Sequence, residues 1–404
     1  MTGARPAGSI LSMGQHTPSV VIVGAGASGR GHVGQLASES GCRLVFLDKD
    51  ASLCAALRAA GAYAVRLVSA HTRTVTVDGF TILHTSEREA FYPLFRDAGM
   101  LFTAVCPGNL RDVAEYLHGP FVRWLEECPP DDFKNVLCCE NMNRSSTTFR
   151  ELLLDGFPST LREKLDRQVG FADTMIARVV ARPSDPLKLL GEEYSEWTAD
   201  RKAMRGPDLP SIRTLDLVED QTRYLQRKLY IHNAGHATFG YLGFLKGYTY
   251  IHEAAGDSEI MAVCEKAIEE SGWAIEKEFG FPAEVIRAYR SALTDKCVSP
   301  ELPDEISRVV REPIRKLGKD ERFFGPIELM LRHGRQPEWL LYGVCAALLS
   351  RIPGDEQSQR IAALLQKKGA SCLEQLVGAP IPSPVLARIE ALLPVVRERF
   401  AKRP

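Results

Sequence analysis

The stretch SVVIVGAGASGRG, residues 19–31, restricts the fold of this chain more than any other. An apolar β-branched run, Val20 to Val23, enters glycines at positions 24, 26 and 29, and the residues that follow suit a helix. The spacing has a steric logic. Gly24 permits a tight turn, Gly26 lets the backbone approach a pyrophosphate, and Gly29 lets helix and strand pack closely. The helix N-terminus then faces the anion. A second apolar run, Leu44 to Leu47, ends at Asp48, about 20 residues past the turn. A carboxylate there accepts hydrogen bonds from ribose hydroxyls and repels a 2′-phosphate, which favours NAD over NADP, although Lys49 beside it softens the preference. A glycine turn of this kind also serves FAD or S-adenosylmethionine, but a strand before it, a helix after it and an acid at this distance point to a dinucleotide.

The domain continues well past this unit. TVTVDGFTIL, residues 74–83, alternates β-formers around Asp78-Gly79 and predicts a hairpin. MLFTAVCPGNL predicts a buried strand ending at Pro107, which joins Gly24, Gly26, Ser28, Gly29 and Asp48 in the expected cofactor-binding set. NVLCCENMN then delivers Glu140 and Asn141 to the C-terminal end of a strand, the ligand edge of an open α/β sheet. Asn141 is therefore a candidate site residue as well as a candidate helix cap. Further strands follow in 169–183 and 186–197. The prolines at 207 and 210 mark a crossover, and from about Leu215 onward apolar residues recur near the helical period. The expected architecture is α/β, a Rossmann-type dinucleotide-binding domain over residues 18–207 followed by a mainly α-helical substrate domain over 208–404. A cleft between two domains is a natural substrate site.

With 404 residues, 45% hydrophobic and 25% charged, the chain can bury a sizeable core. A formal net charge of -1 leaves no basic excess for nucleic acid or an anionic membrane, while local clusters remain able to hold a small anion. No apolar run reaches the roughly 18 residues of a membrane span. Ten cysteines without a CxxC pair read as reduced thiols of a cytoplasmic protein. Residues 1–17 read as a disordered leader, with Met13 as an alternative start.

KLYIHNAGHA, residues 228–237, concentrates polar groups on one segment. On one continuous helix at about 100° per residue, Lys228, His232, Asn233 and His236 span an arc of roughly 140°. Two histidines at i, i+4 suit zinc, but the glutamate of HExxH is absent. Facing a nicotinamide, the same residues take other roles. Removing hydride from an alcohol carbon needs a base for the hydroxyl proton and donors for the oxygen, and a lysine with a depressed pKa can be that base.

Lys228, Asn233 and His236 fit K-x4-N-x2-H, and with GAGASGRG, CENM at 139–142, EYSEW at 193–197 and REPIRKLGKDER at 311–322 the chain resembles the long-chain polyol dehydrogenases, and among them the mannitol-1-phosphate 5-dehydrogenase branch. The resemblance implies Lys228 as general acid/base, Asn141 and Asn233 as donors to the reacting oxygen, and His236 as the group that orients the lysine or a substrate hydroxyl. It implies NAD, no metal, a small-molecule substrate and a monomer. The implied substrate pair is mannitol 1-phosphate and fructose 6-phosphate, with a uronate or free-polyol reductase as the alternative. A phosphate needs cations, and Arg315 and Lys316 are the expected contacts, although most charge runs are solvated helix faces. Ala177 stands where family members usually carry an aspartate, in Ile176-Ala177-Arg178-Val179, which leaves open a shifted specificity or a cofactor-binding protein without turnover.

Overall fold

The computed structural model describes residues 17–68, 72–181, 185–207, 209–301 and 303–401. The expected leader, apart from Thr17, and Asp208 at the expected domain boundary lie outside the described residues. The chain forms two compact units, the first ending at Gln221 and the second beginning at Thr222.

The first unit is built on a six-stranded, wholly parallel sheet of Ser19–Val23, Arg43–Asp48, Thr81–His84, Met100–Thr103, Lys134–Cys138 and Val169–Phe171. Numbered as the chain enters it, the sheet runs 3-2-1-4-5-6, the Rossmann order. Both faces are covered, which is why these strands read as unbroken apolar runs. Val20, Ile22, Leu44, Phe46 and Phe102 pack into one cluster, and Val21, Val23, Val45, Leu47 and Leu101 into the other. Alternate residues along each strand therefore serve opposite layers.

Two smaller sheets flank it. Ala62–Val68 pairs antiparallel with Arg73–Asp78 and parallel with Lys188–Glu192, and Glu196–Asp200 lies between Thr174–Ala177 and Leu215–Val218. This corrects two sequence expectations. Asp78-Gly79 does not close a hairpin: Gly79, at φ +64°, carries the chain from the small sheet at Arg73–Asp78 into the central sheet at Thr81–His84. The local pattern was right for strands, but pairing is decided by which neighbours bury each face. Leu215–Val218, expected to open the helical region, is a strand whose L-D-L-V alternation pairs with Trp197–Asp200.

The second unit is helical throughout its named elements, from the segment containing Lys228 to Ser383–Phe400. Its centre is apolar on every side. All ten residues of Leu340–Leu349 are buried, and Ala234–Lys246 carries Gly235, Gly240 and Gly243 where a Cβ would lie 2.5–2.7 Å from Ile268, Val309 and Ala254. Small residues let neighbouring backbones approach, so this helix is held from several directions. Among the described residues no helix is long and apolar enough to cross a membrane.

Lys134 begins the strand that leads to Glu140 and Asn141. It is 3% exposed, and its Nζ donates to the carbonyls of Phe95, Arg96 and Ala98 at 2.8, 2.8 and 2.6 Å, closing the C-terminal end of helix Arg88–Asp97. Lys134→Met keeps the stem and removes the donors, leaving three carbonyls short of a partner. A loss of about 2–4 kcal/mol in unfolding free energy is expected from denaturant titration; an unchanged midpoint would show that the ammonium does not hold this helix end.

Candidate active site

In the first unit the site begins at the glycine turn. Gly24 has φ +98°, and a Cβ there would lie 2.6 Å from the carbonyl oxygen of Ala104 on the neighbouring strand's exit. At Gly29 a Cβ would lie 1.8 Å from the carbonyl of Gly24. Helix and strand thus touch backbone to backbone. Gly26 has open space where its side chain would be, the feature a pyrophosphate needs for close approach. Ser28 and Pro107 are exposed at this edge. Asp48 reaches across from the second strand: its Oδ2 accepts from the N–H of Ala25 at 2.6 Å and its Oδ1 from Asp50 at 2.9 Å. The carboxylate is fixed beside the turn.

Glu140, which sequence reasoning placed at the sheet edge without a task, is 7% exposed and accepts from Val105 N–H at 2.9 Å and Thr103 Oγ1 at 2.7 Å. Burial raises its carboxyl above the ordinary range, with the bonds from Val105 and Thr103 opposing. It braces a loop in which Cys106 takes φ +73°, unusual outside glycine, just before Pro107. Asn109 completes the loop, donating to the Val105 carbonyl at 2.6 Å and accepting from Lys49 at 3.2 Å. Asn141, the next residue after Glu140, is exposed.

In the second unit the Lys228 segment is not one continuous α-helix. Gln221–Arg227 is α-helical, Lys228–Asn233 winds as a π turn, and Ala234–Lys246 is α-helical again. The difference is physical. Five residues on an α-helix turn about 140° past a full circle, whereas the i→i+5 bonding of a π turn stacks such residues on one side. The five-residue step of K-x4-N therefore brings Lys228 and Asn233 to a common face. Tyr230, Ile231, Ala234 and Ala237 are buried on the inward side, while Lys228, His232, Asn233 and His236 are half-buried. The two imidazoles lie 6.1 Å apart between ring centroids.

His236 has a partner that the sequence did not reveal. Its Nε2 lies 3.0 Å from Oδ2 of Asp304, which also receives Arg308 Nη2 at 2.6 and 2.7 Å. Burial resists ionisation of Asp304, but the bonds from His236 and then Arg308 outweigh it and bring the carboxyl down to about 2. Burial also holds His236 below its ordinary value, against the pull of Asp304. His232 lies well below, through burial first and then the charge of Lys296, with His236 and Lys228 adding to it. Both rings are thus kept neutral. Asp304 lies 68 positions beyond His236, and no local pattern joins them.

Residues 18–211 match the mannitol dehydrogenase Rossmann domain, and residues 220–377 the mannitol dehydrogenase C-terminal domain. The chain belongs to the mannitol dehydrogenase family. The match is to the family at large and does not single out the phosphate-using branch. Among solved structures, Pseudomonas fluorescens mannitol 2-dehydrogenase, in a ternary complex with NAD and D-mannitol, is 16% identical, with 96% of this chain and 94% of that chain covered and a TM-score of 0.74. A D-sorbitol dehydrogenase in substrate-free form is 15% identical over 95% of this chain and 94% of that chain, with a TM-score of 0.80. At such identities the likeness is one of fold.

Ala177, where the resemblance leads one to expect an aspartate, is 7% exposed and pairs with Glu196 across the small sheet. Next to it Arg178 is tied to the Glu192 carbonyl and Gln35 Oε1, each at 2.6 Å. The expected phosphate contacts are occupied differently from the sequence reading. Lys316 is 5% exposed and turns its Nζ onto the carbonyls of Val309 and Arg311. Burial, then Arg322 and Arg315, pull its pKa down to about 7. Arg315 bridges Glu312 at 2.9 Å and Glu321 at 3.2 Å, and Arg322 also pairs with Glu321. The charge run is largely answered by carboxylates and carbonyls of its own unit.

Histidines held below their ordinary pKa have a consequence for acid stability. The unfolded chain takes up protons as pH falls through about 6.5, while a ring whose folded pKa is lower does not, so stability is lost on acidification from that point. Wild type is expected to lose more unfolding free energy than His232→Gln between pH 7.5 and 5.5; parallel pH dependences in denaturant titrations would mean that His232 is not held neutral.

Proposed function

We propose that the protein interconverts a secondary alcohol of an open-chain polyol with the corresponding ketone, using NAD and with Lys228 as the acid–base group. The observation that carries this reading is the π turn at Lys228–Asn233, which puts an amine and a carboxamide on one face with His236 one turn further on. In oxidation, the hydroxyl proton passes to Nζ of Lys228 as the carbon gives up its hydride; in reduction, Lys228 returns the proton to the oxygen. Asn233 donates to that oxygen while it carries negative charge. Asn141 is assigned the same task on the strength of the family resemblance. NAD supplies the hydride acceptor. The open space over Gly26 and the Asp48 carboxylate beside Ala25 fit its pyrophosphate and ribose. No metal is needed for these steps, and ten thiols without a disulfide suit a cytoplasmic setting.

Two substrate readings stand side by side. The quoted motifs favour mannitol 1-phosphate and fructose 6-phosphate. The inward Lys316 and the carboxylate-paired Arg315 favour an unphosphorylated polyol or ketouronate, because neither cation stands ready for a phosphate. NADH oxidation with fructose 6-phosphate, fructose and a ketouronate side by side decides between them. Lys228→Ala is expected to lower turnover by about 10²- to 10⁴-fold while NADH still quenches protein fluorescence at wild-type concentrations; wild-type turnover in that variant would end the assignment. Asp48→Ala is expected to weaken NADH relative to NADPH, and equal affinities before and after would remove Asp48 from cofactor selection.

A further inference from the structure

Asp304 takes no part in any reading of the sequence, yet it is a firmly held carboxylate bonded to the Lys228 helix through His236. Its backbone is pinned where Tyr250 and Glu305 pair antiparallel: Ile251 N–H donates to the Asp304 carbonyl at 3.0 Å, and Ile306 N–H to that of Thr249 at 2.9 Å. Its side chain is 16% exposed and is gripped by the Arg308 guanidinium through Nε at 3.0 Å and Nη2 at 2.6 and 2.7 Å. The remaining contact is His236 Nε2 at 3.0 Å.

We propose that Asp304 is a positioning residue for the reaction, holding His236 in the tautomer that carries its proton on Nε2 so that Nδ1 serves as a hydrogen-bond acceptor for a hydroxyl of the substrate. The proposal rests on reading the Lys228 helix as the acid–base element. The argument is one of donor and acceptor inventory. An ionised carboxylate only accepts, so the imidazole nitrogen facing it must bear hydrogen, and a neutral imidazole then has a lone pair on its other nitrogen. Arg308 prevents the alternative in which the carboxylate turns away or takes up a proton. A ring in this state cannot donate to a carbonyl oxygen. Donation to the oxygen therefore falls to Asn233 and protonated Lys228, while His236 selects for substrates with a hydroxyl next to the reacting carbon, which aligns a polyol chain against the lysine. A charge partner for a catalytic-site imidazole fixes its orientation as well as its tautomer.

The test reads the ring directly. Protein labelled with ¹⁵N in histidine, with the His236 signals identified by their loss in His236→Gln, is expected to show the Nε2–H tautomer in two-bond ring correlation spectra. In Asp304→Asn, whose amide can donate as well as accept, a mixture of tautomers is expected. Its kcat is expected to fall on the order of 10- to 100-fold with the NADH dissociation constant changed less than about twofold. Asp304→Glu, which keeps the carboxylate, is expected to recover the tautomer and part of kcat. The proposal is overturned by an Nδ1–H ring in wild type, by an unchanged tautomer in Asp304→Asn, or by wild-type kcat in that variant. If Asp304→Asn does not fold, the wild-type spectrum, assigned through His236→Gln, still decides the tautomer. Should wild type turn over no polyol or ketose with either cofactor, it is the reading of Lys228 that fails, and the spectrum still decides whether Asp304 fixes the His236 tautomer.

Discussion

The candidate chemistry of the second unit depends on a helix that is wound too widely for six residues. A π turn gives up ideal α-helical bonding and survives only where its surroundings hold it. Here the inward residues Tyr230, Ile231, Ala234 and Ala237 are buried in an apolar core, and the helix continues through glycines that let Ile268, Val309 and Ala254 press against its backbone. The packing fixes the inner face, and the extra residue per turn is thrown outward. That is what sets Lys228 above Asn233 instead of on a different side of the cylinder.

The first unit shows the same principle at its glycine turn. Gly29–Gly34 also winds as a π turn, starting at the last glycine of the fingerprint, and that glycine lies so close to the Gly24 carbonyl that no side chain fits. In both units a wide turn adjoins the candidate site residues, and an α-helix continues from it. Around the turn, a half-buried and a buried carboxylate do the fixing. Asp48 is tied to Ala25 and Glu140 to Val105, each through a backbone N–H. Such bonds hold an edge in shape because a buried carboxylate without donors is costly.

Electrostatic state follows from burial in the same way. His232 and His236 remain neutral because charging them inside the unit is unfavourable, and Asp304 remains ionised because two donors outweigh its desolvation. Lys316 illustrates the opposite outcome for a residue that looked like a ligand contact. A lysine in a run of arginines reads as a solvated cation, but its stem is buried and its ammonium satisfies carbonyls of the segment just before its own helix. Sequence carries the charge of such a residue and not its direction.

Most of the fold was legible in the chain because its signals are local. The glycine spacing, the acid after the second strand and the unbroken apolar runs imply a buried parallel sheet with a phosphate turn, and the helical period of the later segments implies a helical second unit. The K-x4-N-x2-H residues were legible as a motif for the same reason. What the tertiary structure decided is everything that depends on partners distant in sequence. Asp78-Gly79 became a crossing between sheets because Thr81–His84 finds its neighbour at Arg43–Asp48. The common face of Lys228 and Asn233 required a π turn that α-helical arithmetic does not contain. Asp304 could be matched to His236 only in space, since a hydrogen bond across 68 residues is fixed by the packing of the elements that carry its two ends.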